Sequence, residues 1–343
     1  MKLFTWIIIM PFIFIFSGCN GSSSDSKGND MLIKEWQTFA LGRMLVDLPL
    51  GAIVDEKEEM IEGIFITWRK DLNPQTALEE VTHREKEHKN FPPLPERPPC
   101  KYIATIDLVN GGKGIMRWAD QGSDSYSQYV ANLDCYFITD GKPKVVFYPY
   151  KMTKSMLEPA KQRMIAFAPT VHGREEDEFP NKPGFCFDGG FVDEPDEWRT
   201  EISAWTVRLP AYPGMKIIIV FQAAGRELES TSSDHMDLAK KQTDTARTIR
   251  SRKVKLGDGF KNAKELCMRN MANYGDNKEY SCVLAADGDP KRLDRPNIYI
   301  RMTTGDFFTR YGADWHQVFH SDNEFLDLWE ALIKRVRPRP VEG

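Results

Sequence analysis

Short catalytic signatures are missing from this sequence. There is no GxSxG turn to expose a serine nucleophile, no GxxxxGK[ST] loop to cradle phosphates and no HExxH pair to hold zinc. None of the six cysteines forms a CxxC, so zinc ribbons and thioredoxin-like redox pairs are unsupported. Histidine is scarce, with six in 343 residues. His316 and His320 are four apart, as a half metal site would be, but Trp315, Val318 and Phe319 interleave them and no carboxylate or thiol partner is evident. His83 and His88 fall in a charged segment and read as solvent-exposed. "DGDPKRLD", with Asp287, Asp289 and Asp294, lacks the twelve-residue pattern of a calcium loop and reads as a turn. "NGGKG" (Asn110 to Gly114) has no helix behind it to offer an anion its N-terminus, so it reads as a hairpin turn. The expectation is a chain with no metal, no cofactor and no enzymatic activity.

Long apolar runs are also rare. Leu3 to Phe16 is the one long stretch, and the longest later run, Ile217 to Phe221, has the length of a strand. Fourteen residues behind Lys2, nearly all apolar, are short of the ~20 that a spanning helix needs and suit the core of a signal peptide. Ser17-Gly18-Cys19 follows, and this order resembles the lipobox of bacterial lipoproteins. That reading predicts a signal peptide over residues 1–18, cleavage before Cys19 and lipid on its sulfur. Acylation of the new amino group as well would make the hold firm, because one acyl chain binds only marginally. Gly21-Ser22-Ser23-Ser24 onward has the composition of a flexible tether, expected over residues 19–31. Because Asn20, not Asp, follows the cysteine, the expected location is the periplasmic side of the outer membrane of a Gram-negative cell.

Charge is nearly balanced overall. Removal of Lys2 with the signal leaves 45 basic against 50 acidic residues, a net charge of −5, which argues against a nucleic-acid binder. Locally it is segregated. Residues 171–200 carry nine acidic and three basic side chains, and residues 238–264 carry nine basic and two acidic. Each segment reads either as a solvated face, as one half of a mutually attracting pair, or as a surface for a complementary protein partner. Candidate contacts are Arg174, Glu175, Glu176, Asp177 and Glu178 on the acidic segment, with Arg247, Arg250 and Lys253 on the basic one.

Five cysteines besides Cys19 suit an exported protein. Cys267 and Cys282 are 15 apart and are expected to pair; Cys100 with Cys135 is a second candidate, leaving Cys186 single and buried. Formation of one pair only is an equal reading, since spacing does not fix connectivity.

The remaining length suits two domains, expected over residues 32–170 and 171–340. "WQTFALGRMLVDLP" predicts a hairpin and "IEGIFITW" a strand. Asn73-Pro74 opens a helix that ends at Phe91, before the stiff connector "FPPLPERPPC" with five prolines in ten residues. Four strands with turn-length gaps follow between Tyr102 and Tyr148, then a helix over 159–167. In the second half, strands are expected at 184–192, 201–209, 215–221, 280–287 and 296–305, with helices at 234–250 and 259–270. Ser321 and Glu324 form a capping box for a last helix whose apolar stripe runs through Phe325, Leu328, Trp329, Leu332 and Val336 to a stop at Pro338. The expected class is α+β, each half a mainly antiparallel sheet packed with helices.

"LGRMLVDLP" (Leu41 to Pro49), "GFCFDGGFV", "RPNIYIRMTTG" and "FLDLWEALIKRVRPRP" occur in that order. In this, the chain resembles the two-domain immunity proteins that neutralise type VI secretion phospholipase effectors of the fourth lipase class. The resemblance spans Trp36 to Pro340. It implies a claw-like pair of domains that grips a cognate lipase in the periplasm and keeps its lid from opening, with no catalytic residues. The alternative is an envelope-structure or ligand-binding lipoprotein.

Overall fold

The computed structural model describes residues 35–91, 101–118, 130–194, 199–212, 214–223, 246–256, 260–271, 278–289, 292–304 and 319–341. The signal segment, Cys19, the tether, most of the proline connector with Cys100, and His316 lie outside the described residues.

Five short strands come first: β1 (Trp36–Leu41), β2 (Met44–Pro49), β3 (Ile53–Ile61), β4 (Ile64–Phe65) and β5 (Thr67–Trp68). Helix α1 (Pro74–Lys89) follows, then β6 (Tyr102–Asp107), β7 (Lys113–Trp118), β8 (Val130–Ile138) and β9 (Val145–Thr153). Helix α2 (Leu157–Phe167) leads to β10 (Val171–Gly173), β11 (Gly184–Phe187) and β12 (Gly190–Asp193). The rest is β13 (Glu201–Arg208), β14 (Met215–Ala223), β15 (Arg247–Lys253), β16 (Lys261–Met271), β17 (Lys278–Asp287), β18 (Asn297–Thr304), α3 (Asp322–Ile333) and β19 (Val336–Pro338). The protein is α+β, as the sequence implies.

The strands of the first half alternate cleanly. In the five-stranded antiparallel sheet β5-β9-β8-β7-β6, Leu133, Cys135, Phe137, Val146 and Tyr148 point to one face, where Ala160 and Met164 of α2 pack. Ile115, Tyr136 and Val145 point to the other face, against Ala77 and Val81 of α1. A period of two on both faces buries the sheet between helices. α1 opens as expected: Asn73 Oδ1 accepts the Thr76 N–H at 2.9 Å, and Thr76 Oγ1 accepts the Asn73 N–H at 2.9 Å. Such a cap contributes about 1 kcal/mol.

The second large sheet has eight antiparallel strands in the order β15-β16-β17-β18-β14-β13-β3-β4. Its third-last position is taken by β13, which pairs with β3 from the first half; likewise β19, at the far C-terminus, completes the small sheet β1-β2-β19 by pairing with β2. Both pairings cross the boundary drawn at residues 170/171. The small sheet β10-β12-β11 caps the face of the five-stranded sheet that carries α2.

α3 lies on the inner face of the eight-stranded sheet. Phe325 stacks on Tyr280 of β17 with centroids 4.7 Å apart, and Asp322 accepts from Arg269 of β16 at 2.9 Å. Phe325, Trp329 and Leu332 are fully buried, each contributing roughly 1.5–3 kcal/mol. Ser321 Oγ accepts the Glu324 N–H at 3.2 Å, but Glu324 accepts from the His320 N–H at 2.8 Å, so the returning bond goes one residue before the cap.

Several expectations are corrected. Residues 261–271 form strand β16, not a helix; Phe260, Ala263 and Cys267 match a helical spacing by coincidence, and ladders to β15 and β17 on both sides override it. The helix expected over 234–250 lies mostly outside the described residues, and its end is strand β15. The strand expected over 184–192 is the hairpin β11–β12. α3 stops at Ile333, and Val336 belongs to β19. β3 carries no strand signal in its sequence, because "IVDEKEEMI" is charge-rich and poor in strand formers.

Cys267 and Cys282 are direct partners in the β16–β17 register and form the expected disulfide. The pair Cys100–Cys135 is corrected: Cys135 is a free thiol, wholly buried in the middle of β8. Burial pushes that thiol far up. Cys186 is single and buried.

Candidate partner-binding surface

The acidic segment leaves β10 as a loop over residues 174–183 that doubles back into β11. Such a loop has few backbone partners of its own, and two buried guanidiniums supply them. Arg174, 4% exposed, donates from Nε to the Gly190 carbonyl at 3.0 Å. Its Nη1 donates to the carbonyls of Glu175, Glu176 and Glu178 at 3.1, 3.3 and 3.0 Å. Its Nη2 donates to those of Phe187 and Ala40 at 3.2 and 3.4 Å. Arg339, 5% exposed, reaches in from the end of β19 and donates to the carbonyls of Pro180, Lys182 and Gly184. Hydrogen bonds from a charged donor are roughly twice as strong as neutral ones. The loop is therefore wound around two cations with its carbonyls inward and its side chains outward.

Glu175, Glu176, Asp177 and Glu178 are all exposed. Glu178 is 2.6 Å from Lys142, and that bond with the Glu175 N–H holds its carboxyl below the usual range. Glu175 lies 3.4 Å from Lys144, and Glu176 lies 3.4 Å from Lys57. The Lys142–Glu178 and Lys57–Glu176 pairs face solvent and contribute little, while Lys144 is buried. The carboxylates stay available to a partner.

Beside the loop is an open cleft of about 470 Å³, lined among others by Phe39, Val54, Lys57, Lys70, Glu176 and Asp188. It lies where residues of both halves meet. The hairpin β11–β12 presents Asp188 here, 3.1 Å from both Lys57 and Lys70. Burial works against the Asp188 anion, but the two lysines hold its carboxyl below the usual range. Gly189 turns the hairpin with φ +73°, and a Cβ there would lie 2.5 Å from the Trp68 ring. Beneath Lys57, which sits 4.7 Å over the Trp205 ring, Glu59 is enclosed. Glu59 accepts from the Asp188 N–H at 2.9 Å and the Trp205 indole N–H at 3.1 Å. Burial pushes the Glu59 carboxyl up to about 7, against the pull of those two donors. A second buried cluster lies nearby: Arg43 is bidentate on Glu201 at 2.6 and 3.0 Å, and Arg199 donates to the same carboxylate at 2.7 Å.

The basic segment lies elsewhere, on β15 at one edge of the eight-stranded sheet. Arg250 is committed to Glu265 at 2.5 Å and to Glu330 at 3.3 Å. Arg247 and Lys253 are exposed. Among the described residues no ion pair joins the acidic loop to β15.

The structure thus sorts the candidates. Glu175, Glu176, Asp177 and Glu178 form one exposed surface; Arg247 and Lys253 sit on a separate one. Arg174 is corrected from a surface contact to a buried organiser of the loop, and Arg250 is half-buried in an ion-pair cluster. Nothing local in the sequence marks Glu59, Arg339 or Arg43 as buried: the first two stand among other charges, and Arg43 is a lone charge beside the hairpin turn. His172 bridges Asp140 at 3.2 Å and Asp193 at 2.7 Å. His83 and His320 are exposed, and no group of metal-ligating side chains occurs among the described residues.

Residues 178–341 match the family described as Tle cognate immunity protein 4 C-terminal domain. The apo structure of the immunity protein TplEi of the type VI secretion system from Pseudomonas aeruginosa shares the fold, with TM-score 0.77 and 22% identity over 91% of this chain and 100% of that one. The crystal structure of the Tle4–Tli4 complex gives 0.78, with 22% identity and the same coverages. TplEi complexed with an "L" peptide gives 0.73, with 21% identity over 90% of this chain and 100% of that one. No curated protein sequence matches.

Proposed function

We propose that this chain, whose residues 178–341 match the family described as Tle cognate immunity protein 4 C-terminal domain, is an immunity protein that binds and inhibits a cognate type VI secretion phospholipase. The observation that carries the reading is the match of the C-terminal half to that family, joined to a fold shared with the immunity proteins over nine-tenths of the chain. One of those relatives was solved in complex with Tle4 and another with a peptide, which supports a role in holding a polypeptide. Inhibition by occupation needs surface complementarity and no turnover, so the chain acts as a binder and not as an enzyme.

The loop bearing Glu175, Glu176, Asp177 and Glu178, with the adjacent cleft, is the proposed contact surface. Its backbone is fixed beforehand by Arg174 and Arg339, so little ordering entropy is lost on binding. The exposed carboxylates would steer a basic patch of the lipase and raise the association rate. Arg247 and Lys253 offer a second, cationic contact. The mature chain begins at Cys19, carries lipid there and stands on the periplasmic side of the outer membrane, where a membrane-attacking lipase has to be met.

The test is co-purification with the lipase encoded beside it, followed by a phospholipase assay. Stoichiometric loss of lipase activity is expected. A lipase that neither binds nor slows, or a purified chain that itself cleaves phospholipid, ends this reading.

A further inference from the structure

We infer that the end of the molecule formed by the β2–β3 turn and the start of β1 rests on the lipid bilayer. This inference rests on the reading of Cys19 as lipid-anchored. The turn Pro49–Ala52 is closed by the Ala52 N–H on the Pro49 carbonyl at 3.0 Å, with Gly51 at φ +84°. Nothing lies within 4 Å of a Cβ built on Gly51, so the tip projects into open space. It carries two large aliphatic side chains outward: Leu50 is 60% exposed and Ile53 44%. Exposed apolar groups at a projecting tip mark contact with a protein or a membrane.

Chain geometry selects the membrane. The Leu50 N–H donates to the Glu35 carbonyl at 3.0 Å, so the described chain begins against the tip itself. Fifteen residues separate Cys19 from Glu35. A Gly/Ser-rich sequence of that length has a reach of about 20–25 Å in root-mean-square terms. Lipid on Cys19 would therefore keep this end within reach of the bilayer at high effective concentration. The neighbouring side chains suit an interface. Trp36 lies opposite Pro49 in the β1–β2 register, and the Arg335 guanidinium sits 4.1 Å over its ring. Tryptophan and basic residues are the usual anchors at headgroup depth. Two nearby carboxylates are engaged, Asp47 with Arg337 and Asp55 with Arg208; Glu35 has no ion pair among the described residues.

The test uses the mature lipoprotein in phosphatidylethanolamine/phosphatidylglycerol vesicles containing a nitroxide-labelled lipid. A fluorophore is attached through Ile53→Cys, or through Val109→Cys on the β6–β7 turn as a control. Quenching at least threefold stronger at position 53 is expected, falling to the control level when Leu50→Asp is added. Equal quenching at the two positions would overturn the inference even with Cys19 acylated. So would a tip that becomes shielded only when the lipase is added, which assigns it to the protein contact. A mass spectrum of the mature N-terminus reports acylation separately, and an unmodified Cys19 removes both the anchor and the inference.

Discussion

Glu59 and Trp205 meet inside the protein, the indole N–H donating to the carboxylate at 3.1 Å beneath the lysine that lines the cleft. The carboxyl is pushed up to about 7 by burial, above its ordinary 4.5. The folded state thus holds this proton more tightly than the unfolded chain. Its stabilising effect is complete below about pH 4.5 and is lost as the pH rises through about 7, amounting to roughly 3 kcal/mol. Glu59→Gln, neutral at every pH, should lose one hydrogen bond at pH 4.5 and gain on the wild type by up to about 3 kcal/mol between pH 4.5 and 8. Urea unfolding of both proteins across that range checks this; a constant difference between them would show that Glu59 does not titrate there.

The Cys267–Cys282 bridge joins strands β16 and β17 across a separation of 15 residues. On the loop-entropy model, closing such a loop removes about 3 kcal/mol of freedom from the unfolded chain. Replacing both cysteines with alanine should lower unfolding free energy by about that amount. The same loss should follow reduction of the wild type, while Cys135 and Cys186, both free and buried, keep reductant from having any further effect. Denaturant titration with and without reductant distinguishes the bridge from the rest of the core.

Much of this architecture was legible because its signals are local. Asn73-Pro74 marks a cap, "LGR" between two apolar runs marks a hairpin, and Ser321 with the stripe Phe325-Leu328-Trp329-Leu332 marks a helix. What was not legible is whatever depends on distant residues. The charged run Asp55 to Glu59 becomes strand because β13, about 150 residues later, supplies its ladder. Residues 261–271 become strand because both flanks are paired. Charge segregation drew attention to residues 174–178, yet Arg174 is spelled no differently from its exposed neighbours; only the fold shows it buried among six carbonyls. Arg339 is 165 residues from Arg174 in sequence and does the matching work on the same loop.

Glu201 is 2% exposed and shared by Arg43 and Arg199. Removing one member of such a cluster leaves buried charge without compensation, typically at 3–5 kcal/mol. Glu201→Ala takes the carboxylate from Arg199 and leaves Arg43 with Glu194 alone, and should cost about that. Arg43→Met and Arg199→Met combined with Glu201→Leu should recover part of the loss, because no buried charge of the cluster then lacks a partner and Glu194 faces solvent. Unfolding free energies of the two variants give the comparison, and equal losses would mean that the ion pair itself, not the orphaned charge, sets the cost.

The acidic loop separates charge from shape. Changing Glu175, Glu176 and Glu178 to lysine reverses three exposed carboxylates and removes the Glu178 bond to the Glu175 N–H, but leaves the Arg174 and Arg339 bonds, which go to backbone carbonyls, in place. Electrostatic steering governs the approach of a partner more than its departure. The triple variant should therefore associate with the cognate lipase about tenfold more slowly at low salt, and the difference should shrink as ionic strength rises and screening shortens the field. Arg339→Met should act in the other way, keeping every exposed charge but loosening the backbone, so that dissociation quickens and the salt dependence is unchanged. Surface plasmon resonance at two salt concentrations reads both rates. Wild-type kinetics in the triple variant would remove this loop from the interface and leave Arg247 and Lys253 on β15 as the remaining charged candidates.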